Sequence, residues 1–439
     1  MISRLRMWDR RSVADRAEPV LDVRAGVRAG TVRLGSMGFT FLATVLLARR
    51  FSTAEFGVYA LAMVALFIGG LVGSAGIGRV GLRTVTPLLL ANELDTARSV
   101  TRSAVPVFAV SAPIGGLVAF VLCMLSTPRA FLPLGSCAVV GIASCGAAVM
   151  FATSDLLRVW ERSFLADVTD GLNGLVTSLL FAVFLIAFQS DELTTVLAQQ
   201  MVAMVLPALP AVWWLASRRG ALPGMSVRVW VRGGMVYVWT SLASIVNAMA
   251  DVWVASWALG VADVGRYAGA ARLAVLTTLP QAAAQMAFVR DIIRLIHENR
   301  LADLQSRLRR ASTLVVFVAS PTIVAVVAPH FVLSTVLGAD YGPGAPVLAL
   351  LAGAYLGTVA LGLSGLVISM SGNEPVNLLA SGVASLVTLG GGYIGARLFG
   401  LAGLAVVSAS ASLTSAAVRW YIVRKRVGVW THPHLLPPY

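Results

Sequence analysis

The chain has 439 residues, 58% hydrophobic and only 12% charged, and 34 basic residues against 20 acidic ones give it a net charge of +14. A soluble domain carries about 25% charged residues, so these proportions, with a mean hydropathy of +0.83, exclude an ordinary soluble protein. The apolar excess falls in segments of roughly 20 residues, the length that crosses a ~30 Å hydrocarbon layer.

Residues 1–26 are polar, mixed in charge and without the apolar core of a signal peptide, and they read as a cytoplasmic N-terminal tail. Apolar runs then predict twelve spans, near 27–48, 55–77, 104–126, 132–154, 166–188, 193–216, 235–259, 263–288, 312–336, 345–370, 375–396 and 402–423. The expected fold is therefore an all-α polytopic membrane protein. A six-helix N-terminal lobe covers 27–216, a cytoplasmic linker 217–234, a six-helix C-terminal lobe 235–423 and a cytoplasmic tail 424–439. Cys123, Cys137 and Cys145 lie within apolar segments at no metal-ligand spacing and read as packing residues.

Arginine placement predicts the orientation. The N-terminal tail and every second connection are rich in arginine, as at Arg79 and Arg83, Arg218 and Arg219, and Arg307, Arg309 and Arg310. Connections on the other side are short and hold few, namely Arg49 and Arg50, Arg129 and Arg397. The positive-inside rule then places both termini in the cytoplasm, and the basic charge needs no nucleic acid to explain it.

A short phrase is written twice. "AEFGVYA" (Ala54 to Ala60) and "ADVGRYA" (Ala262 to Ala268) share four of seven positions and keep a carboxylate at a fifth. Each opens the second span of its half, at a turn on the arginine-poor side. Six spans per half is an even number, so the halves run in the same direction. The expected arrangement is a parallel repeat about an axis along the membrane normal, with a substrate site between the halves.

Polar groups at membrane depth are costly, so each is a functional candidate. Arg272 lies about nine residues past the turn near Asp263, roughly 13 Å down at 1.5 Å per residue. Asp251 lies at similar depth on the preceding helix, with Asn247 four residues earlier on the same face. Two readings stand side by side. Asp251 and Arg272 form an ion pair between helices, or Arg272 binds an anionic substrate group while Asp251 and Asn247 hold a coupling cation. Arg266 sits about one turn in from the outer surface, where it binds substrate or snorkels. Arg33, with Arg28, marks the cytoplasmic end of the first span. Gln281 and Asn377 line a cavity or satisfy backbone near Pro280 and the tenth-to-eleventh turn. Asp155 followed by Arg158 reads as a local pair, and Asp170 as a carboxylate at a helix N-terminus. The chain shows no nucleophile–base pair, phosphate-cradling loop or metal cluster, so no enzyme and no resident cofactor is expected.

"LLARRFSTAEFGVYALAMVALFIGGLVGSAGIGR" (Leu46 to Arg79) resembles the first hairpin of bacterial polysaccharide flippases. "VLGADYGPGAPVLALL" (Val336 to Leu351) is similar to that family's ninth-to-tenth connection, and "FGLAGLAVVSA" (Phe399 to Ala409) to the start of its twelfth helix. The resemblance implies an O-antigen or capsule type flippase, in a superfamily that also holds multidrug antiporters and lipid II flippases. It implies movement of a polyprenyl-pyrophosphate-linked oligosaccharide across the bacterial inner membrane, by alternating access, alongside membrane lipids, a polysaccharide polymerase and glycosyltransferases. Arg272 matches an eighth-helix arginine that lines the cavity in lipid II flippases, while Asp251 and Asn377 resemble residues of their sodium site, so sodium or proton coupling stays open. The first-helix arginines of those relatives are replaced by Met37 and Ala43, and their two extra helices are missing. A cation-coupled multidrug antiporter, a lipid II-type flippase and a membrane glycosyltransferase or ligase remain as alternatives.

Overall fold

The computed structural model describes residues 23–433 apart from 129, 161–162, 171–173, 218–224 and 372–373. The expected N-terminal tail up to residue 22, the middle of the expected linker and residues 434–439 lie outside the described residues, as do the side chains of Arg28 and Asn247. Every described element is helical.

The first lobe opens with α1 (Val23–Arg50) and α2 (Thr53–Ser74). Ser52 caps α2 reciprocally with Glu55: its hydroxyl accepts from the Glu55 amide, and the Glu55 carboxylate accepts from the Ser52 amide at 2.9 Å. Ala75 and Gly76, at φ 49° and 65°, end α2 and turn the chain into α3 (Ile77–Leu90). Then come α4 (Leu94–Arg102), α5 (Val105–Ser126), α6 (Leu134–Val159), the short α7 (Ser163–Val168), α8 (Leu175–Ala187) and α9 (Leu193–Ala216). The fifth crossing is discontinuous, because α8 alone has 13 residues, about 20 Å of rise.

The second lobe begins with α10 (Val227–Ala258), so residues 227–234, expected in the linker, are its first two turns. The eighth crossing is α11 (Val261–Val275), a 3₁₀ turn at Leu276–Thr278, and α12 (Leu279–His297). Pro280 at the start of α12 has no amide to continue the ladder, which fits a break there. There follow α13 (Leu301–Ala319), α14 (Val324–Val327), α15 (Pro329–Val336), α16 (Ala345–Ala360), α17 (Ser364–Met370) and α18 (Glu374–Val427). The last holds two crossings, hinged at Gly400 with φ 62° and ψ −146°.

Among the described residues, eight helical runs are individually long and apolar enough to cross a membrane. The final run doubles back at Gly400, and the interrupted α7–α8, the polar-bearing α10 and the broken α11–α12 complete the twelve crossings. The outer surface is apolar in a way a water-soluble protein would not tolerate, with Leu125, Trp213, Phe317, Leu386 and Phe399 all exposed. Cys123 and Cys137 are buried and all three cysteines are free. The architecture is an all-α, two-lobe membrane protein, as expected.

The twice-written phrase forms the contact between lobes. Helices α2 and α11 cross where Gly57 meets Gly265. A Cβ on Gly57 would lie 2.3 Å from the Val261 carbonyl oxygen, and one on Gly265 would lie 1.8 Å from that of Thr53. Only glycine permits backbones this close. A second contact lies about 29 Å along α2, nineteen residues on at 1.5 Å each. There Gly76 meets Gly234 of α10, where an added Cβ on Gly234 would lie 1.8 Å from the Ala75 carbonyl oxygen. Near the Gly57–Gly265 contact, Arg49 at the end of α1 donates to the carbonyls of Thr335 and Val336, terminating α15 of the other lobe.

The expected C-terminal tail is docked rather than free. Residues 424–427 end α18, and Thr431 and His432 are buried. The Ser312 hydroxyl donates to the Thr431 carbonyl at 2.6 Å, and the Thr431 hydroxyl donates to the Leu361 carbonyl at 2.7 Å. Trp430 stacks near Trp420, ring centres 4.9 Å apart.

Candidate functional site

The two tyrosines of the repeat point into their own lobes. The Tyr59 hydroxyl approaches the Gln200 side-chain oxygen at 3.5 Å, and the Tyr267 hydroxyl donates to Asp251 Oδ2 at 2.9 Å. Asp251 Oδ1 accepts from the Val252 amide, also at 2.9 Å. Asp251 therefore takes its hydrogen bonds from a hydroxyl and a backbone amide. No ion pair joins it to Arg272 among the described residues, so the ion-pair reading of these two residues does not hold. The reason is rotational: α11 turns Tyr267 toward α10 and carries Arg272, five residues on, toward α1.

Arg272 is partly buried and donates from Nη1 to the Thr44 hydroxyl of α1 at 3.4 Å. Thr44 belongs to the other lobe, so Arg272 sits on the face between lobes. Among the described residues no carboxylate lies within ion-pair distance of it. A guanidinium at this depth, with no carboxylate against it among the described residues, is costly to hold on the interlobe face.

The remaining candidates are placed separately. Arg266 pairs with Asp263 at 2.9 Å and donates to the Asp340 carbonyl at 3.2 Å, at the rim of the repeat end. Gln281 is buried and donates to the Gly362 carbonyl at 2.8 Å, where φ 76° at Gly362 breaks α16 from α17. Its observed work is to satisfy backbone. Asn377 donates to the Ser369 hydroxyl at 3.1 Å, leaving its own amide oxygen buried without a partner. It lies some 20 Å from Asp251 along the membrane normal, counted in helical rise from the Gly400 and Gly260 turns. The structure therefore does not bring Asn377 and Asp251 into one site. Arg33 pairs with Asp170 at 3.6 Å.

That last pair belongs to a chain of charges that sequence reasoning left in pieces. Asp170 also meets Arg158 at 3.5 Å, Arg158 meets Asp155 at 3.0 Å, and Asp155 meets Arg79 at 3.4 Å. The Asp155–Arg158 pair was legible from its i, i+3 spacing. The longer ladder joins α1, α3, α6 and the turn before α8, and local spacing cannot find it. Arg419 was also missed: it donates to the Ser381 and Ser415 hydroxyls at 3.0 and 2.9 Å.

No protein-family model matches this sequence, and neither does any curated protein. Solved structures do match. A multidrug resistance MATE family transporter of the MOP superfamily, inward-facing, aligns with a TM-score of 0.73 at 14% identity, over 92% of this chain and 98% of that one. The lipid II flippase MurJ, in an inward closed conformation, aligns with a TM-score of 0.70 at 11% identity, over 91% and 87%. A MOP superfamily transporter from Pyrococcus furiosus, described by a reversed polarity of its binding pocket, aligns at 0.60 and 15%, over 92% and 96%. At these identities the likeness establishes architecture: the chain has, in twelve crossings, the two-lobe helical fold of MATE transporters, and MurJ shares that two-lobe arrangement.

Proposed function

We propose that this protein is a flippase that carries a polyprenyl-pyrophosphate-linked oligosaccharide from the cytoplasmic to the outer leaflet of the bacterial inner membrane, for cell-surface polysaccharide synthesis. One observation carries the reading. Arg272 lies at about half the depth of the layer on the face between lobes, reaches across to Thr44, and has no carboxylate partner among the described residues. A planar guanidinium offers paired donors to phosphate oxygens and keeps its charge. An anionic headgroup would repay the cost of holding it there. Both termini are cytoplasmic in this reading, and the lobes alternate access by parting at one end at a time. Export of a diphosphate from a cell that is negative inside is favoured by about 2.3 kcal/mol per charge per 100 mV, so the energetics do not demand a coupling ion.

A second reading is a cation-coupled multidrug antiporter. The observation in its favour is Asp251, an intramembrane carboxylate held by Tyr267 with no arginine against it. Transport separates the two. Arg272→Ala should abolish export and trap lipid-linked oligosaccharide in the inner leaflet while the protein stays inserted and stable. Arg272→Lys should keep part of the activity, because it retains the charge and loses the fork. Undiminished glycan export by Arg272→Ala would remove Arg272 as the headgroup site, and unchanged export in cells lacking the protein would remove the flippase reading. Sodium- or proton-driven efflux of lipophilic cations would establish the antiporter.

A further inference from the structure

We propose a second oxyanion site, centred on Arg79 at the arginine-rich end of the interlobe face, which takes the diphosphate headgroup of the substrate ahead of Arg272. It rests on the reading of the cargo as a diphosphate lipid. The ladder Arg33–Asp170–Arg158–Asp155–Arg79 holds three guanidinium groups and two carboxylates. Two arginines would neutralise two aspartates, so one positive charge is in excess. The side chain most open to solvent is that of Arg79, 62% exposed, against 35% for Arg33 and for Arg158. Its ion pair with Asp155 runs through Nε at 3.4 Å.

Arg79 borders a cavity of about 180 Å³. Its walls include Arg79, Ser154 and Asp155 from one lobe and Tyr237 and Ser241 of α10 from the other. The carboxylates hold the guanidinium groups before a ligand arrives, and the Ser241 hydroxyl can bind a further oxygen. Arg158 and Asp170 also line it, so two arginines balance two aspartates in the walls, and Arg33, paired with Asp170 from α1, adds the net positive charge that favours an anion over a metal ion. Phosphate-type oxyanions suit the forked donors, and a ligand with two phosphates matches a site with several. Because α10 forms one wall, any movement of the lobes at the Gly76–Gly234 contact changes the size of the cavity. Occupancy is thereby tied to the conformational cycle.

The test uses the full chain in lipid nanodiscs, with its three cysteines replaced by alanine and Ser241→Cys introduced in the cavity wall. Reaction of that cysteine with N-ethylmaleimide is followed against farnesyl pyrophosphate or inorganic pyrophosphate. Farnesyl pyrophosphate should protect it. Arg79→Gln should raise the concentration for half-protection on the order of tenfold, the usual loss for a charge-assisted contact. Arg79→Lys should raise it less, and shows whether charge or fold underlies the Gln result. Arg272→Gln should stop export yet leave protection at Ser241→Cys in place. Protection unchanged by Arg79→Gln, or none at all, overturns this site, and glycan export compared between cells with and without the protein still decides the flippase reading on its own. If inorganic pyrophosphate protects as well as farnesyl pyrophosphate, the headgroup assignment is overturned and the ligand is a soluble phosphate.

Discussion

The contact at Gly57 and Gly265 makes the sharpest mechanical prediction. In Gly265→Val the new Cβ would lie 1.8 Å from the Thr53 carbonyl oxygen and 3.0 Å from the Gly57 amide nitrogen. Both are main-chain atoms, which cannot rotate aside. The helices must part by roughly 1.5 Å to regain an ordinary contact. Overpacking of this kind costs about 1–3 kcal/mol, so closure at the repeat end should weaken by about 5- to 150-fold. Spin labels at Gly135→Cys and Gly260→Cys, in a chain lacking its native cysteines, would report it. Both positions lie at the repeat end, one on each lobe, with open space around an added Cβ. Double electron–electron resonance should show the label separation shifting to longer distances. Gly353→Val, where an added Cβ also meets nothing within 4 Å, should leave the distribution unchanged. A stably folded Gly265→Val protein with the parent's distances would refute the view that this contact holds the end shut.

Two further outcomes can be checked directly. In whole cells, a membrane-impermeant maleimide should label Gly260→Cys and spare Ser306→Cys; the opposite pattern would reverse the orientation. Asp251→Asn should remove any sodium or proton dependence of transport and leave stability within about 1 kcal/mol of the parent, since its amide oxygen can accept from the Val252 amide while its NH2 donates to the Tyr267 hydroxyl oxygen. Transport with unaltered ion dependence in that variant would eliminate Asp251 as a coupling residue.

Much of this architecture was legible because membrane-spanning helices announce themselves by length and apolar content. The twelve expected spans coincide with helical crossings, and the breaks fall where Pro280, Gly362 and Gly400 stand. The repeat was legible too, since an identical glycine and tyrosine recur at the same turn of each half. What could not be read was the rotation of each helix about its axis. Asp251 and Arg272 have the depth of an ion pair, and only the direction each side chain leaves its helix shows that Tyr267 takes the carboxylate and Thr44 the guanidinium. The resemblance misled for Asn377, because it supplied a partner that the helix register places several turns away. Arg79 was counted with the charges that set orientation, and nothing in sequence spacing links it to Asp155 on another helix.

The two glycine contacts at the ends of α2 are main chain against main chain, and this separates two demands on the protein. Side chains that line the space between the halves can be exchanged for others without disturbing how the halves meet. Four small positions, Gly57, Gly76, Gly234 and Gly265, carry the fit instead. The interior can vary while the contacts stay fixed, and a deep mutational scan would see this as four intolerant glycines beside a permissive cavity wall.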